Sequence, residues 1–365
     1  MTSLIENMKK DFLWGLNLSS IPSHEKNKTP LPQIMMELYK QFAEDKVSKP
    51  VANIIRSFNS EDIVLSPALK NTDESHIIVF NISIPQHEEL TLAELKIFIS
   101  LSKMYPRNIL VYDILHINQS KNPSNIKTVI ESKRIEKSGW VTINVTRVVK
   151  RWILSGKIKN AFEISLASNS LQNNFPEDLE TGVTVSRDYP PVLLIFSDDK
   201  WSKQRAKTME RKEMVLHERA NGRQIVFKKS SLRNTNEKEK NKSRTGLVKT
   251  KTRFKRSLVN NYCRKSSLKV KFEDIGWDSW IISPREYDAY ECKGECYYPI
   301  TDNLSPTKHA IIQTLVHFKN PKTIRKACCV PTELESISIL YIDDNGVTTM
   351  KYNYEEMKVA KCGCR

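Results

Sequence analysis

Y-E-C-K-G-E-C (290–296), K-A-C-C-V-P-T (326–332) and C-G-C-R (362–365) decide the fold of the last third of this chain. They hold six of its seven cysteines, and the seventh is Cys263. Residues 1–262 contain none. An odd, tightly spaced set confined to one short segment points to a disulfide framework with one sulfur left over for a second chain. Two bridges joining Cys292 and Cys296 to Cys362 and Cys364 would close a ring of eight residues, which a third bridge could thread. Gly294 and Gly363 would sit at the corners of that ring, where a Cβ would crowd the passing bridge. Spacing alone leaves the pairing open. Zinc is the rival reading, but zinc sites favour C-x2-C pairs or Cys/His sets, which vicinal Cys328-Cys329 and C-G-C fit poorly.

Upstream of Cys263 stands Arg253-Phe254-Lys255-Arg256, followed by Ser257. R-x-K-R in an extended segment suits a proprotein convertase, whose acidic subsites need several cations. A cut there would release residues 257–365. The 201–256 segment carries 19 Lys or Arg against 5 Asp or Glu, so it holds +14 of the chain's net +16. The basicity belongs to a linker, expected to be disordered or only weakly helical, and not to a folded nucleic-acid surface. No aromatic–basic interleaving marks a nucleic-acid reader. No run of about 18 apolar residues exists that could cross a membrane.

Residues 1–46 read as two helices separated by a turn-rich stretch. Leu4, Ile5, Met8, Phe12, Leu13 and Leu16 form one amphipathic stripe, and Met35, Leu38, Tyr39 and Phe42 repeat at helical spacing in the other. Residues 50–199 read as a β-rich domain. The expected strands are 76–84, 93–101, 109–117, 140–145, 161–167 and 192–196, with a short helix at 146–154. In the cysteine segment, 269–282 and 336–359 read as long strands, with Asn345-Gly346 as a hairpin turn. The helix between them is expected to take Ser305 as N-cap and Pro306 as first residue, with Ile311, Leu315, Val316 and Phe318 on its apolar side.

The motifs G-W-D-S-W-I-I (276–282), Y-E-C-K-G-E-C (290–296), P-T-K-H-A-I-I-Q-T-L-V-H (306–317), K-A-C-C-V-P-T (326–332) and the C-G-C-R ending resemble the transforming growth factor β superfamily. The resemblance is to its bone morphogenetic proteins, and F-E-D-I-G-W-D-S-W-I-I with L-V-H-F-K is most similar to the branch numbered nine and ten. N-I-I-R-S-F (53–58) and L-L-I-F-S-D-D (193–199) resemble that family's prodomain.

This resemblance implies a small all-β cystine-knot domain of two curled β-ribbon fingers with one helix, behind a β-rich α+β prodomain with two N-terminal helices. It implies the pairs Cys263–Cys329, Cys292–Cys362 and Cys296–Cys364, with Cys328 as the interchain cysteine of a homodimer. It assigns Trp277, Trp280, Ile300 and Asp302 to a concave surface for type I receptor serine/threonine kinases. Ser283, Pro284, Ser336, Ser338 and Lys351 are assigned to a convex surface for type II receptors. Signalling would run through Smad proteins, with the prodomain remaining bound after cleavage. Spacing on a strand puts Trp277 and Trp280 on opposite faces, so a domain this thin should leave at least one at a partner surface. The first helix would lie in the concave groove through Leu4, Ile5, Met8, Phe12 and Leu16, or else pack on the prodomain's own sheet.

Disulfides require an oxidising compartment, so the chain is expected to be secreted, and the missing signal peptide reads as a truncation. Of seven N-x-S/T sequons, Asn81 and Asn118 flank expected strand ends and, with Asn144, are the glycosylation candidates. No catalytic constellation is present and no cofactor is implied. His309 and His317 lack a third ligand, and Asp343-Asp344 and Glu355-Glu356 read as solvated charges. The alternative reading is a secreted antagonist or matrix-binding protein built on the same knot. The presence of Trp277, Trp280 and Asp302 argues for an agonist.

Overall fold

The structure is a computed structural model that describes residues 10, 12–22, 32–44, 48–66, 75–101, 107–115, 126–157, 159–167, 183–185, 189–199 and 261–365. The convertase motif, the basic linker, Asn118 and the helix anchors Leu4, Ile5 and Met8 lie outside these residues. The chain divides into two compact units. The first comprises Met1–Trp201 with Lys269–Ala289 and Glu335–Lys358, and the second Ser202–Leu268, Tyr290–Leu334 and Val359–Arg365. This division does not follow the order of the sequence, because parts of the cysteine segment pack with residues that precede it by more than a hundred positions.

Two antiparallel sheets make the body of the first unit. One has the order β2 (Asp62–Ser66), β3 (Ser75–Asn81), β8 (Lys159–Ala167), β5 (Arg107–Ile114), β6 (Lys127–Ile135). The other runs β13 (Ile281–Ser283), β16 (Cys329–Ile342), β17 (Thr348–Cys364), β1 (Ile54–Asn59), β10 (Val192–Asp199), β4 (Glu88–Leu101), β7 (Gly139–Asn144), with β9 (Val183–Val185) on β4. Their facing surfaces, including Phe58, Phe80, Leu95, Ile97, Val111, Ile143, Phe162 and Ile195, form one core capped by Val149 and Trp152 of α2 (Thr146–Ser155). Strand alternation sorts β10 cleanly. Leu193 and Ile195 face that core, while Val192, Leu194 and Phe196 face α1 (Gln33–Tyr39). The sequence reading missed β1, β2, β6 and β9. In β1, I-I-R-S-F is covered on both faces and so shows no alternation to read.

The cysteine segment departs from the two long strands expected of it. Residues 269–282 form β12 (Lys269–Lys271), a 3₁₀ turn (Phe272–Ile275) closed by Gly276 at φ 71°, and then β13. Gly276 interrupts the ladder because its left-handed backbone reverses the chain. Trp277 and Trp280 therefore sit in a turn and not on a strand. The 336–359 reading fares better. The hairpin of β16 and β17 turns at Asp343–Val347, with Gly346 at φ 78°. Asn353, at φ 54°, is a left-handed residue inside β17 whose side chain accepts from Ser336 Oγ at 3.2 Å. Met350 and Tyr352 before it face α1, whereas Tyr354 after it reaches the opposite face. One left-handed residue thus shifts the alternation of the strand.

The second unit is the knot. Disulfides join Cys263 to Cys329, Cys292 to Cys362 and Cys296 to Cys364. Cys263, Cys296 and Cys364 have their sulfurs clustered, but each is consumed by a disulfide and none is left for a metal. At Gly294, φ 117°, a Cβ would stand 2.3 Å from the Tyr262 carbonyl oxygen, and at Gly363 it would stand 2.4 Å from that of Leu304. The crowding expected from the threading bridge comes instead from main chain that passes the ring. β11 (Arg264–Ser266) pairs with β15 (Glu291–Lys293) beside it. The helix α3 spans Lys308–Lys319, with Thr307 as N-cap accepting from Ala310 N, so the expected start at Ser305-Pro306 is two residues early. Ser305 has φ 41°, outside the extended range an N-cap takes. Its inward face is the small pair Ala310 and Thr314, while Ile311, Ile312, Leu315 and Phe318 are exposed.

Candidate binding site

The fingers of the first unit present two faces, and strand alternation assigns residues to each. Ile281, Ile339 and Tyr341 point to one side, and Ile282, Ser338 and Leu340 to the other. Trp277 and Trp280 join the first face, their ring centroids 5.6 Å apart, with Tyr341 edge-on to Trp280 at 6.2 Å.

Trp277 is 6% exposed and Trp280 0%, so this one chain buries both, and the surface expected for a partner is covered by the chain's own N-terminal residues. The helical turn at 12–15 and the residues after it cover both. Phe12 lies 4.5 Å from Trp277 and 5.1 Å from Tyr354 between ring centroids, and Leu13, Leu16 and Leu18 fill the rest of the cluster. Tyr341 Oη donates to the Leu16 carbonyl at 2.7 Å and Tyr354 Oη to the Phe12 carbonyl at 3.1 Å. Ser19 donates through both N and Oγ to Asp344. Gly15 allows the close approach, since a Cβ there would stand 2.4 Å from Tyr354 Oη. The described part of the amphipathic stripe therefore packs on the fingers and not on the prodomain's own sheet. Among the described residues neither indole N–H finds an acceptor.

The second face is covered by α1 and β1. Met35, Tyr39 and Phe42 pack against Ile55, Leu340 and Met350, and Tyr39 Oη donates to the Ser338 carbonyl at 3.3 Å. Burial pushes the Tyr39 phenol up, partly offset by its hydrogen bond with Ser283. β1 continues the finger sheet, pairing Ile54 with Lys351, Ile55 with Met350 and Arg56 with Thr349. Of the convex candidates, Ser338 and Lys351 are buried, while Ser283, Pro284 and Ser336 are partly so. Among the described residues the Lys351 ammonium has no hydrogen-bond partner, and burial pulls its pKa down against the attraction of Asp199 and Glu88.

A buried ion cluster that the sequence reading missed fastens this edge. Arg56 pairs with Glu88 through both nitrogens, Nη2 to Oε1 at 2.8 Å, and its Nε lies 3.7 Å from Asp343 Oδ2. Ser197 Oγ and Asn17 Nδ2 also donate to Glu88, at 2.7 and 2.9 Å. Burial acts to raise Glu88, but the Arg56 pair outweighs it and holds the carboxyl below its ordinary range. The reading of Asp343-Asp344 as solvated charges is corrected here. Asp343 is buried and accepts from Asn345 N and Val347 N, each at 2.9 Å, which fixes the hairpin turn. The visible signal was a lone arginine inside the apolar run of β1.

In the second unit, Ile300 is half-buried against the knot and Asp302 opens a 3₁₀ turn (Asp302–Leu304). Cys328 is exposed and unbridged, and its main chain exchanges two hydrogen bonds with Arg365. Asn81 is exposed at the end of β3, and Asn144 is exposed at the end of β7.

The fingers thus share a sheet and two apolar clusters with the segment that precedes the cysteine domain. The transforming growth factor beta like domain matches residues 262–364 and the TGF-beta propeptide matches 1–196, so this chain belongs to the transforming growth factor β family. It is 44% identical to dorsalin-1 of Gallus gallus over 100% of this chain and 87% of that protein. It is 42% identical to growth/differentiation factor 2 of Homo sapiens over 99% of the chain and 86% of the relative. Against bone morphogenetic protein 10 of Homo sapiens it is 39% identical, over 100% and 88%. The family consists of signalling ligands and not of enzymes.

Proposed function

We propose that this chain is the precursor of a secreted, disulfide-linked dimeric ligand of the bone morphogenetic protein type. Convertase cleavage after Arg256 would leave 257–365 as the active part. The dimer would present two copies each of a type I and a type II receptor surface, drawing the receptor kinases together so that they phosphorylate Smad proteins. No chemistry takes place on the ligand. Asn81, Asn118 and Asn144 are its candidate glycosylation sites.

The observation that carries this reading is the double cover on the fingers. Trp277 and Trp280 on one face, and Ser338 and Lys351 on the other, lie under residues that precede the convertase motif. Large apolar faces of this kind, rich in Trp and Tyr, are the chemistry of protein-binding hot spots. They are held by a segment that cleavage makes a separate chain. Binding at either face then requires that segment to give way, and this makes the propeptide the gate of the ligand.

The test is expression behind a secretory leader, followed by intact mass with and without reduction, receptor-ectodomain binding and a phospho-Smad readout. The expected product is a reducible dimer starting at Ser257 that binds both receptor classes and raises phospho-Smad. Receptor binding without phospho-Smad would replace the agonist with an antagonist, and an unsecreted chain would remove the extracellular reading altogether.

A further inference from the structure

The face of the larger sheet that α1 covers does not end where α1 ends. α1 packs on Val192, Leu194 and Phe196 of β10. The next strands on that face are β4 and β7. Register places Phe98 opposite Trp140, Lys96 opposite Thr142 and Glu94 opposite Asn144. The alternate residues Leu95, Ile97, Val141 and Ile143 point into the core, so these six point outward.

At one end of this strip stands an aromatic platform. Phe98 lies 5.6 Å from Trp140 and 4.6 Å from Tyr189 between ring centroids, and Trp140 lies 6.2 Å from Tyr189. Trp140 is 46% exposed and Tyr189 47%. Two rings open to solvent and clustered on a half-buried third make an apolar patch on a propeptide surface that calls for a cover. At the other end stands Asn144, the first residue of the sequon Asn144-Val145-Thr146. Its Oδ1 accepts from Thr146 N at 3.1 Å and from Thr146 Oγ1 at 2.7 Å. Those two donors fix the amide orientation, so Nδ2 is the atom turned outward, and among the described residues it has no acceptor. Four residue steps along the strand separate Asn144 from Trp140 on the same face, about 13 Å. Between them lie Thr142 and the Glu94–Lys96 pair at 3.8 Å, a hydrogen-bonding track and not an apolar one.

We infer that Asn144 carries an N-linked glycan whose core sugars lie along β7 and stack on the Phe98–Trp140–Tyr189 platform. A sugar ring has an apolar C–H face that suits an aromatic ring, and hydroxyl edges that suit the polar track. A protein partner would need an apolar approach that Glu94, Lys96 and Thr142 deny it. The platform is thus covered by the chain's own modification. Asn81 is exposed at the end of β3 with no such platform in the contacts of its strand. The inference rests on the secreted reading above, because N-glycosylation occurs only in the secretory pathway.

The test uses the full secreted chain. Glycosylation sites are mapped by mass spectrometry, and native-state release of each glycan by a peptide N-glycosidase is timed in the wild type and in Trp140→Ser/Tyr189→Ser. Both substituted residues are half exposed, so folding should survive. The expected result is an occupied Asn144 whose glycan is released roughly three- to tenfold faster in the double variant. As a second measurement, hydrogen exchange at 139–144 should rise in the wild type once that glycan is removed. An unoccupied Asn144 on a chain glycosylated elsewhere overturns the inference and leaves secretion intact. An occupied Asn144 with unchanged release rates and exchange overturns the docking. A chain that is neither secreted nor glycosylated overturns the secreted reading instead.

Discussion

Single residues at the finger edge hold opposed energies. Arg56 satisfies Glu88 in a site with almost no water, and removing one partner of a buried pair leaves a charge uncompensated. Arg56→Met should destabilise the precursor by about 3–5 kcal/mol at pH 7, read from urea unfolding. The pH dependence follows from Glu88. In the wild type its lowered pKa gives stability that is present above about 4.5 and lost as pH falls through the folded value. In the variant burial, the largest influence, is opposed only by weaker contacts such as the Ser197 hydrogen bond, so the carboxyl should rise and the penalty should shrink as pH drops towards 5. A deficit equal at both pH values would mean that Glu88 is not the group left exposed to the loss. Lys351 pulls the other way, since among the described residues its buried ammonium has no hydrogen-bond partner. Lys351→Met should stabilise the precursor by about 1–3 kcal/mol, seen as a higher midpoint in the same titration. Its folded pKa is depressed, so the wild-type penalty applies at neutral pH and fades as pH rises towards 10.5. None of these energies could be read in advance. N-I-I-R-S-F shows a charged residue among apolar ones, but Glu88 and Asp343 are remote in sequence and nothing local ties them to Arg56.

Among the elements, the helical turn at 12–15 was legible as an amphipathic stripe, while the surface it covers was given by the family resemblance and not by its period. The structure adds why it fits. Phe12 enters between Trp277 and Tyr354, and Gly15 lets the turn lie flat on the Tyr354 ring. The same contact leaves both indole N–H groups without acceptors, a cost of about 1–3 kcal/mol each in a buried site. This cover is therefore incomplete in its hydrogen bonds, and a ligand offering two carbonyl or carboxylate acceptors there would bind with that cost removed. Gly15→Leu should push the turn off Tyr354 and lower the share of propeptide that co-purifies with the cleaved fingers, without changing the disulfides. Retention equal to wild type would show that β1 and α1 alone hold the propeptide. Elements with clean alternation, such as β4 and β7, were readable, and so was β10, which is covered on both faces but is a continuous apolar run. Of the four missed, β1 is sealed on both faces and β6 has a mostly exposed pattern. Gly276 and Asn353 broke two finger readings, because a left-handed residue changes strand phase in a way that residue type only hints at.

At the scale of the whole molecule, the unsatisfied surface of the second unit calls for a second chain. α3 buries only Ala310 and Thr314 inward, so the helix lies close to the knot on small side chains. Ile311, Leu315 and Phe318, which the sequence assigned to its packing side, are turned out instead, with Phe318 76% exposed and its ring tilted against that of Tyr298 at 6.5 Å. Cys328 is exposed as well. Family membership makes a dimer the natural cover for both, held by two devices of different kind. A disulfide at Cys328 would fix two chains against dilution, and the helix face would supply area that association removes from water. The two should separate by mutation. Cys328→Ser should run as a monomer on a non-reducing gel, yet sediment as a dimer at micromolar concentration. Ile312→Asp with Phe318→Asp should keep the covalent link when Cys328 is present, and should sediment as a monomer when combined with Cys328→Ser. If Cys328→Ser alone sediments as a monomer, the helix face contributes too little area to hold two chains, and the single free sulfur is what makes the dimer.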